Sequence, residues 1–259
     1  MKWLFINSGY NTGRYNMDYD LQLANNCKND EIVLRIFRWD PYCISLGANQ
    51  PADSINSELS RQDNINIVKR PTGGRAVLHA EELTYSVVFP LDSFSSARDI
   101  YFQVNLALLK GLKIYDSRLA SFELENHQPN FSEIYRQGNN SVCFAVSAKC
   151  EIKFSGKKIV GSAQRKFEKV ILQHGSILCG PFHKRIIHYL NLKDEKKEEI
   201  EKELEGNTIE LDEILNEEID YSRLTLSICK GFEEHYNMTF SNIFCLYNDI
   251  NLINNSYTK

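Results

Sequence analysis

Two alternating segments separated by a two-residue turn set the tightest limit on how this chain can fold. Residues 150–154 (CEIKF) and 158–164 follow the period-2 order of strands, and Ser155-Gly156 between them has the composition of a hairpin turn. With so tight a turn Phe154 faces Lys157 and Lys153 faces Lys158. Two like charges placed opposite each other cost a few tenths of a kcal/mol. Either an anion meets the lysines or both splay into water, and spacing leaves both readings open.

Short strands and a few helices fill the rest of the chain. Residues 3–6 read as a strand and residues 16–24 as a helix capped by Asn16. Residues 32–37 and 42–46 are strand segments joined by Arg38-Trp39-Asp40-Pro41, and the expectation is a hairpin. Trp39 beside that turn is either a packing anchor or an aromatic wall for an apolar chain. Residues 64–68 form a β-branched strand that runs into Lys69-Arg70-Pro71-Thr72-Gly73-Gly74-Arg75, after which 76–78 and 83–89 resume strand character. Gly73 and Gly74 let backbone N–H groups approach a ligand. Arg70 and Arg75 flank the loop as candidates to hold a carboxylate or phosphate, the alternative being two solvated arginines on a glycine turn.

Ser96 and Asp99 have capping-box spacing, and Tyr101, Val104, Leu108 and Leu112 then repeat at helical intervals. Residues 117–142 are polar and irregular, a length of loop that accompanies either function or disorder, and they lead to Cys143. Helices are expected over 182–190 and 194–204, the latter with only Ile200 and Leu204 as an apolar stripe, and a last helix presents Leu224, Ile228 and Phe232.

Composition bounds the class. A chain of 259 residues with 42% hydrophobic and 25% charged residues fits one large domain with a small appendage. Its first residues, MKWLFINSG, lack a signal-type apolar stretch, and no run reaches the roughly 18 apolar residues of a membrane helix, so a cytoplasmic protein without membrane contact is expected. Seven cysteines without a regular framework suit a reducing compartment. A metal site is not expected: no Cys-x-x-Cys pair occurs, and His183 and His188 have no ligands at metal-site spacing. The net charge of -4 argues against nucleic acid as a partner. That charge is uneven: residues 149–169 hold seven Lys or Arg against two Glu, whereas residues 194–218 hold twelve acids against three lysines.

Residues 68–79 (VKRPTGGRAVLH), with GKKIVGSAQ and ILQHGSIL further on, resemble the signature of the lipoate and octanoate protein-acyltransferase family, which includes the lipoate-protein ligases. The wording is nearest to the octanoyltransferase branch. It extends through FINSGYNTGRYNMDYD and LRIFRWDPYCISLGANQ and becomes loose from about residue 190. The resemblance implies an α/β (α+β) fold, a mixed central sheet flanked by helices like the biotin and lipoate protein ligase catalytic domain. Residues 1–190 would be the catalytic domain, and 191–259 a charged helical extension packed on it. It also implies a substrate site built from Trp39, Arg70, Thr72, Gly73, Gly74, Arg75, His79, Gly161, Ser162, Ala163, His174 and Gly175.

For the chemistry, the resemblance places a nucleophile at Cys143, a cysteine followed by phenylalanine, and a catalytic lysine at Lys158 in the K-[IV]-x-G-S-A motif. Residues 145–150 (AVSAKC) depart from the family wording, which has a Pro-Ser pair and an aromatic residue there. Cys150 shares a strand face with Ile152 and Phe154 and reads as a buried thiol of little reactivity. A free thiol near pKa 8.5 needs roughly 2 kcal/mol of anion stabilisation to reach about 7, which one nearby lysine can supply.

Arg75 stands where the ligases have a third glycine that lets an adenylate approach, so a transferase that starts from an activated thioester is expected, without cofactor. The implied donor is acyl carrier protein, and the implied acceptors are lipoyl-domain proteins such as glycine cleavage H protein or dehydrogenase E2 subunits. The alternatives are an ATP- and Mg-dependent lipoate ligase, an amidotransferase moving octanoyl between lipoyl-domain proteins, and a binding protein that keeps the pocket without catalysis.

Overall fold

One strand is apolar on both faces, and that decides where the sheet has its middle. Ile32, Leu34 and Ile36 on one side and Val33 and Phe37 on the other are all buried, so this segment must be covered on both faces and paired along both edges. In the structure, a computed structural model that describes residues 1–91, 96–124 and 151–245 (242–245 as backbone only), it is strand β2 (Glu31–Trp39). Strand β1 (Lys2–Asn11) lies parallel to β2 on one edge, and strand β6 (Glu82–Pro90) lies antiparallel on the other. The expected hairpin between residues 32–37 and 42–46 is therefore not formed. With both edges of β2 taken, strand β3 (Cys43–Leu46) pairs instead with β4 (Asn66–Lys69) and β5 (Val77–His79) in a second, three-stranded sheet.

The main sheet has six strands in the order β10-β11-β6-β2-β1-β12, with β10 (Val160–Lys166), β11 (Val170–Leu178) and β12 (Asn242–Cys245). One face is covered by helices α3 (Ala97–Tyr115) and α7 (Tyr221–Tyr236). Helix α3 starts at the expected capping box, with Ser96 and Asp99 each accepting the other's backbone N–H. Its stripe of Val104, Leu108 and Leu112 meets Leu224, Ile228 and Phe232 of α7, all six fully buried at 0% exposure. Each such side chain contributes about 1.5–3 kcal/mol by leaving water. The two helices touch through glycines: a Cβ on Gly231 would lie 2.3 Å from the Gly111 nitrogen, so no larger residue fits at this crossing.

The other face carries α1 (Gly13–Asn26) and the three-stranded sheet. Helix α1 begins three residues before the expected start. Thr12 caps it by accepting the Tyr15 N–H, whereas Asn16, the expected cap, is fully buried inside the first turn and bonded to Arg35. The segment expected to be one strand from 158 to 164 is broken at Ile159. Its first part, β9 (Lys157–Lys158), forms the expected hairpin with β8 (Ile152–Phe154), which also pairs with β7 (Glu123–Leu124). The register is Phe154 to Lys157 and Lys153 to Lys158, and Ser155 and Gly156 both have positive φ, as a type I′ turn requires.

Past the sheet, residues 182–190 begin as a 3-10 turn (Pro181–Arg185) that continues into α4 (Ile186–Tyr189). Helix α5 (Asp194–Asn207) buries only Ile200 and Leu204, as its thin stripe foretold, and α6 (Leu211–Leu215) and α7 complete the order. A short helix α2 (Ser57–Gln62) precedes β4. Among the described residues no helix is long and apolar enough to cross a membrane.

Candidate active site

Strand parity in the main sheet aligns polar residues in rows. Arg35 of β2 pairs with Ser86 of β6, Ser86 with His174 of β11, and His174 with Ala163 of β10. The next row on the same face is Phe37, Thr84, Ser176 and Gly161. Successive strands lie about 4.8 Å apart, so a row spans about 14 Å. Met17 of α1, Ser45 of β3, Val77 and His79 of β5, Trp39, Arg70 and Lys158 stand over this floor and line a cavity.

Two histidines in the lining are each held between a carboxylate and a hydroxyl. His79 Nδ1 lies 2.8 Å from Glu82 Oε1, and its Nε2 lies 2.7 Å from Ser45 Oγ. Burial pushes the Glu82 carboxyl up, but His79 and the donated hydroxyls of Thr84 (2.5 Å) and Ser176 (2.7 Å) outweigh it and hold it below its ordinary value. The ionised carboxylate makes Nδ1 the donor, and Nε2 is left in hydrogen-bond contact with the Ser45 hydroxyl. Trp39 stacks on the His79 ring at 4.1 Å and donates its indole N–H to Thr84 Oγ1 at 2.7 Å.

His174 repeats the arrangement, with Nε2 2.6 Å from Thr72 Oγ1 and Nδ1 3.4 Å from Asp20 Oδ2. Burial lowers the His174 pKa, with the Asp20 carboxylate opposing, so the ring is neutral at neutral pH. Asp20 is itself fully buried and paired at 2.8 Å with Arg35, also fully buried, which places its other N–H groups on Ser8 and Asn16.

Lys158 closes the β10 end of the cavity. It is 2% exposed, and its Nζ lies 2.8 Å from Glu151 Oε1, itself 3% exposed. An anion does meet Lys158 of the lysine pair, and it is a side chain of this protein. Lys153, across the hairpin, stays half-buried.

Most of the expected substrate residues converge here with the expected catalytic lysine: Trp39, Arg70, His79, Gly161, Ser162, Ala163, His174 and Gly175 border the cavity, as does Lys158. Two of them do something other than expected. Arg70 is turned inward, donating to the Ser45 carbonyl and hydroxyl and to the carbonyls of Gly73 and Arg75, so it braces the glycine loop where a loose anion clamp was anticipated. Ser162 sits in the alternate row, and its hydroxyl points to the other face of the sheet, 2.6 Å from the Tyr85 hydroxyl and 3.2 Å from Asn105 Oδ1. Thr72 is buried behind His174, while Gly73 and Gly74 are exposed and Arg75 is half-buried on the loop. Gly175 is required by packing, since a Cβ there would lie 2.2 Å from the Gly161 carbonyl oxygen and 2.9 Å from the Tyr85 ring. Cys143 and Cys150 lie outside the described residues.

Sequence reasoning missed Asp20, Arg35, Ser45, Glu82, Ser176 and Glu151. A signal was present: Glu82, Thr84 and Ser86 alternate with apolar residues in a strand buried along its whole length, and Arg35 interrupts an apolar strand. Buried polar residues at period 2 mark a sheet face that lines something polar.

Comparison with known proteins adds to this geometry. Residues 12–233 match the model of the lipoyl protein ligase A/B catalytic domain. The octanoyltransferase LipM of Staphylococcus aureus is 32% identical over 243 residues, covering 91% of this chain and 87% of the relative. That of Macrococcus caseolyticus is 32% identical over 240 residues, covering 90% and 86%. Among solved structures, a lipoate-protein ligase A bound with ATP superposes with a TM-score of 0.72 at 18% identity, covering 93% of this chain and 88% of that one. The bipartite lipoate protein ligase of Thermoplasma acidophilum, determined with its E2 lipoyl domain, gives 0.72 at 17%, covering 93% and 87%. At such identities these two establish the fold.

Proposed function

Because this chain belongs to the lipoyl protein ligase A/B catalytic domain family, we propose that it is an acyltransferase of protein lipoylation that moves an octanoyl group from acyl carrier protein to a lysine of a lipoyl domain. The acyl group passes through a thioester on Cys143. The observation that carries the reading is Lys158, the lysine of the K-[IV]-x-G-S-A motif, buried in the wall of a cavity lined by residues of the family motifs. Burying the six methylenes and the methyl of an octanoyl chain is worth about 6 kcal/mol at about 0.8 kcal/mol per group. That supplies binding without any charged ligand.

In the mechanism the acyl chain lies on the floor across the strands, with its carbonyl at Lys158. The Lys158 ammonium favours a thiolate over a thiol and a developing oxyanion over a carbonyl. Cys143 attacks the carrier thioester, so the C–S bond to the carrier breaks as the new one forms, and the carrier thiol leaves. The acceptor amine then displaces Cys143 to give the amide. Because the donor is already activated, the reaction uses no nucleotide.

The basic segment supports docking of an acidic carrier, though in a smaller form than its charge count suggests. Lys158 and Glu151 are paired inside, and Lys157 Nζ donates to the Glu205 carbonyl. Arg165, Lys166 and Lys169 remain exposed against Glu168 around the β10–β11 turn. Arg165 fastens that turn to the glycine loop through the Pro71 carbonyl at 2.8 Å.

The test is to mix the purified protein with octanoyl-carrier protein and a lipoyl domain without nucleotide and to follow octanoylation of the domain by mass spectrometry. Product is expected. Product only from free octanoate or lipoate with ATP and Mg would make this a ligase. An octanoylated lipoyl domain serving as donor where the carrier does not would make it an amidotransferase.

A further inference from the structure

Amide formation needs a proton acceptor, because the incoming lysine arrives as an ammonium without a lone pair. Around the cavity the obvious candidates are occupied. Nδ1 of His79 and of His174 faces a carboxylate, and each Nε2 is already hydrogen-bonded to a hydroxyl, of Ser45 and Thr72. The Arg70 guanidinium has no basic lone pair. What is left among the described residues is the Lys158–Glu151 pair, an ammonium and a carboxylate in hydrogen-bond contact at 2.8 Å, with Lys158 on the cavity side.

We infer that Glu151 is the proton acceptor of amide formation, working through Lys158, which touches the acceptor amine. This rests on the octanoyltransferase reading. As the acceptor ammonium gives one proton to Lys158, Lys158 gives its own along the hydrogen bond to Glu151 Oε1. The freed amine forms the N–C bond at the thioester carbonyl, and the C–S bond breaks with its electron pair on sulfur. The second nitrogen proton goes to that sulfur, leaving amide and thiol. Glu151 then releases the first proton to solvent, so the cycle yields one amide, one thiol and one proton.

The surroundings fit a carboxylate that must take a proton and give it back. Tyr85 and Tyr101, from β6 and α3, face Glu151, and burial followed by its charge pushes the Tyr101 hydroxyl well above its ordinary value. Burial takes Tyr85 to about 12. Both phenols therefore stay protonated and do not compete as bases. Lys153 lies opposite Lys158 across the hairpin, and on the α5 side Glu205 meets Lys157 through its carbonyl.

The experiment compares Glu151→Gln and Glu151→Asp with the wild type in the full chain, after loading with octanoyl-carrier protein. One measurement is single-turnover transfer to a lipoyl domain between about pH 6 and pH 9. The other is enzyme-accelerated release to hydroxylamine, a nucleophile that is neutral in this range and needs no base. Glu151→Gln is expected to slow transfer to the lipoyl domain by about 10²–10⁴-fold at neutral pH, recovering about tenfold per pH unit, and to slow hydroxylamine release far less. Glu151→Asp, which keeps the carboxylate, should fall between. Equal loss toward both nucleophiles, or an unchanged pH profile, overturns the inference. If Glu151→Gln does not fold by circular dichroism, the same ratio measured on Glu151→Asp decides. Wild-type protein that moves no octanoyl overturns the octanoyltransferase reading, and this inference with it, whereas normal transfer with an unmoved ratio overturns the inference alone.

Discussion

Replacing Arg35 with methionine tests whether the buried charge cluster under α1 is a structural necessity. Arg35 donates to Ser8 Oγ at 2.7 Å, Asn16 O at 3.1 Å, Asn16 Oδ1 at 2.6 Å and Asp20 Oδ1 at 2.8 Å, with no exposure on either member of the ion pair. Arg35→Met keeps the packing against Phe37 but strands the Asp20 carboxylate, with only Ser86 and His174 left to it. Removing one member of a buried pair costs about 3–5 kcal/mol. At about 2–4 °C per kcal/mol for a chain of this size, Tm should fall by roughly 6–20 °C at pH 7.

The pH dependence gives the mechanism away. Burial pushes the Asp20 carboxyl up, but Arg35, His174 and Ser86 hold it below its ordinary value, so its stabilisation is complete above about pH 4 and is lost as pH falls through the lower folded value. Without Arg35, burial dominates and Asp20 takes up a proton at higher pH than it would unfolded. The deficit of the variant should therefore shrink between pH 7 and pH 5. The double variant Arg35→Met/Asp20→Leu, with no charge left to strand, should regain a large part of the loss. Thermal unfolding followed by circular dichroism measures all of this. A deficit below about 1 kcal/mol, one that does not change with pH, or a double variant as unstable as the sum of the two single ones would refute the argument.

Other consequences are open to direct measurement. Incubation with octanoyl-carrier protein alone should give a single octanoyl adduct, sensitive to hydroxylamine and mapping to the Cys143 peptide, abolished by Cys143→Ser and largely kept by Cys150→Ala; an adduct on Cys150 would defeat the assignment. Reversing Lys166 and Lys169 to Glu should raise the apparent KM for carrier protein and flatten its salt dependence, and unchanged values would remove the docking surface. Because burial keeps the His174 pKa below its ordinary value, protonation favours the unfolded chain. Stability should fall as pH drops below about 6.5, and His174→Gln should remove that part of the slope in a pH series of Tm values. Gly175→Val should cost stability and adduct formation together, because any side chain there meets the Gly161 carbonyl; a normally folded, active variant would show that β10 can move away.

How much of this was legible beforehand depended on range. The β8–β9 hairpin was readable to the residue pair, because a two-residue turn with positive φ at Ser155 and Gly156 admits one register and needs no knowledge of distant residues. The cap of α3 and the buried stripes of α5 and α7 were readable for the same reason, each being settled within a few residues. Of the residues carried by the family motifs, Arg70, His79, Lys158, Gly161 and His174 border one cavity, whereas Gly73, Gly74 and Arg75 do not line it.

Partners chosen over long distances were not legible. Residues 32–37 and 42–46 each looked like a strand, but period 2 says nothing about which edges are free, and burial of β2 on both faces sent β3 to another sheet. Likewise Asp20 and His174, 154 positions apart, and Ser45 and His79, 34 apart, meet only because the fold lays α1 and the smaller sheet over the main sheet and pairs β3 with β5. Even Glu151, seven residues from Lys158, could not be named as its counter-ion from the hairpin pattern. Sequence by itself determined the local elements and which residue types were on hand. The tertiary structure alone decided which charges had to be satisfied together, because a buried ion takes whatever partner the packing brings within hydrogen-bond reach.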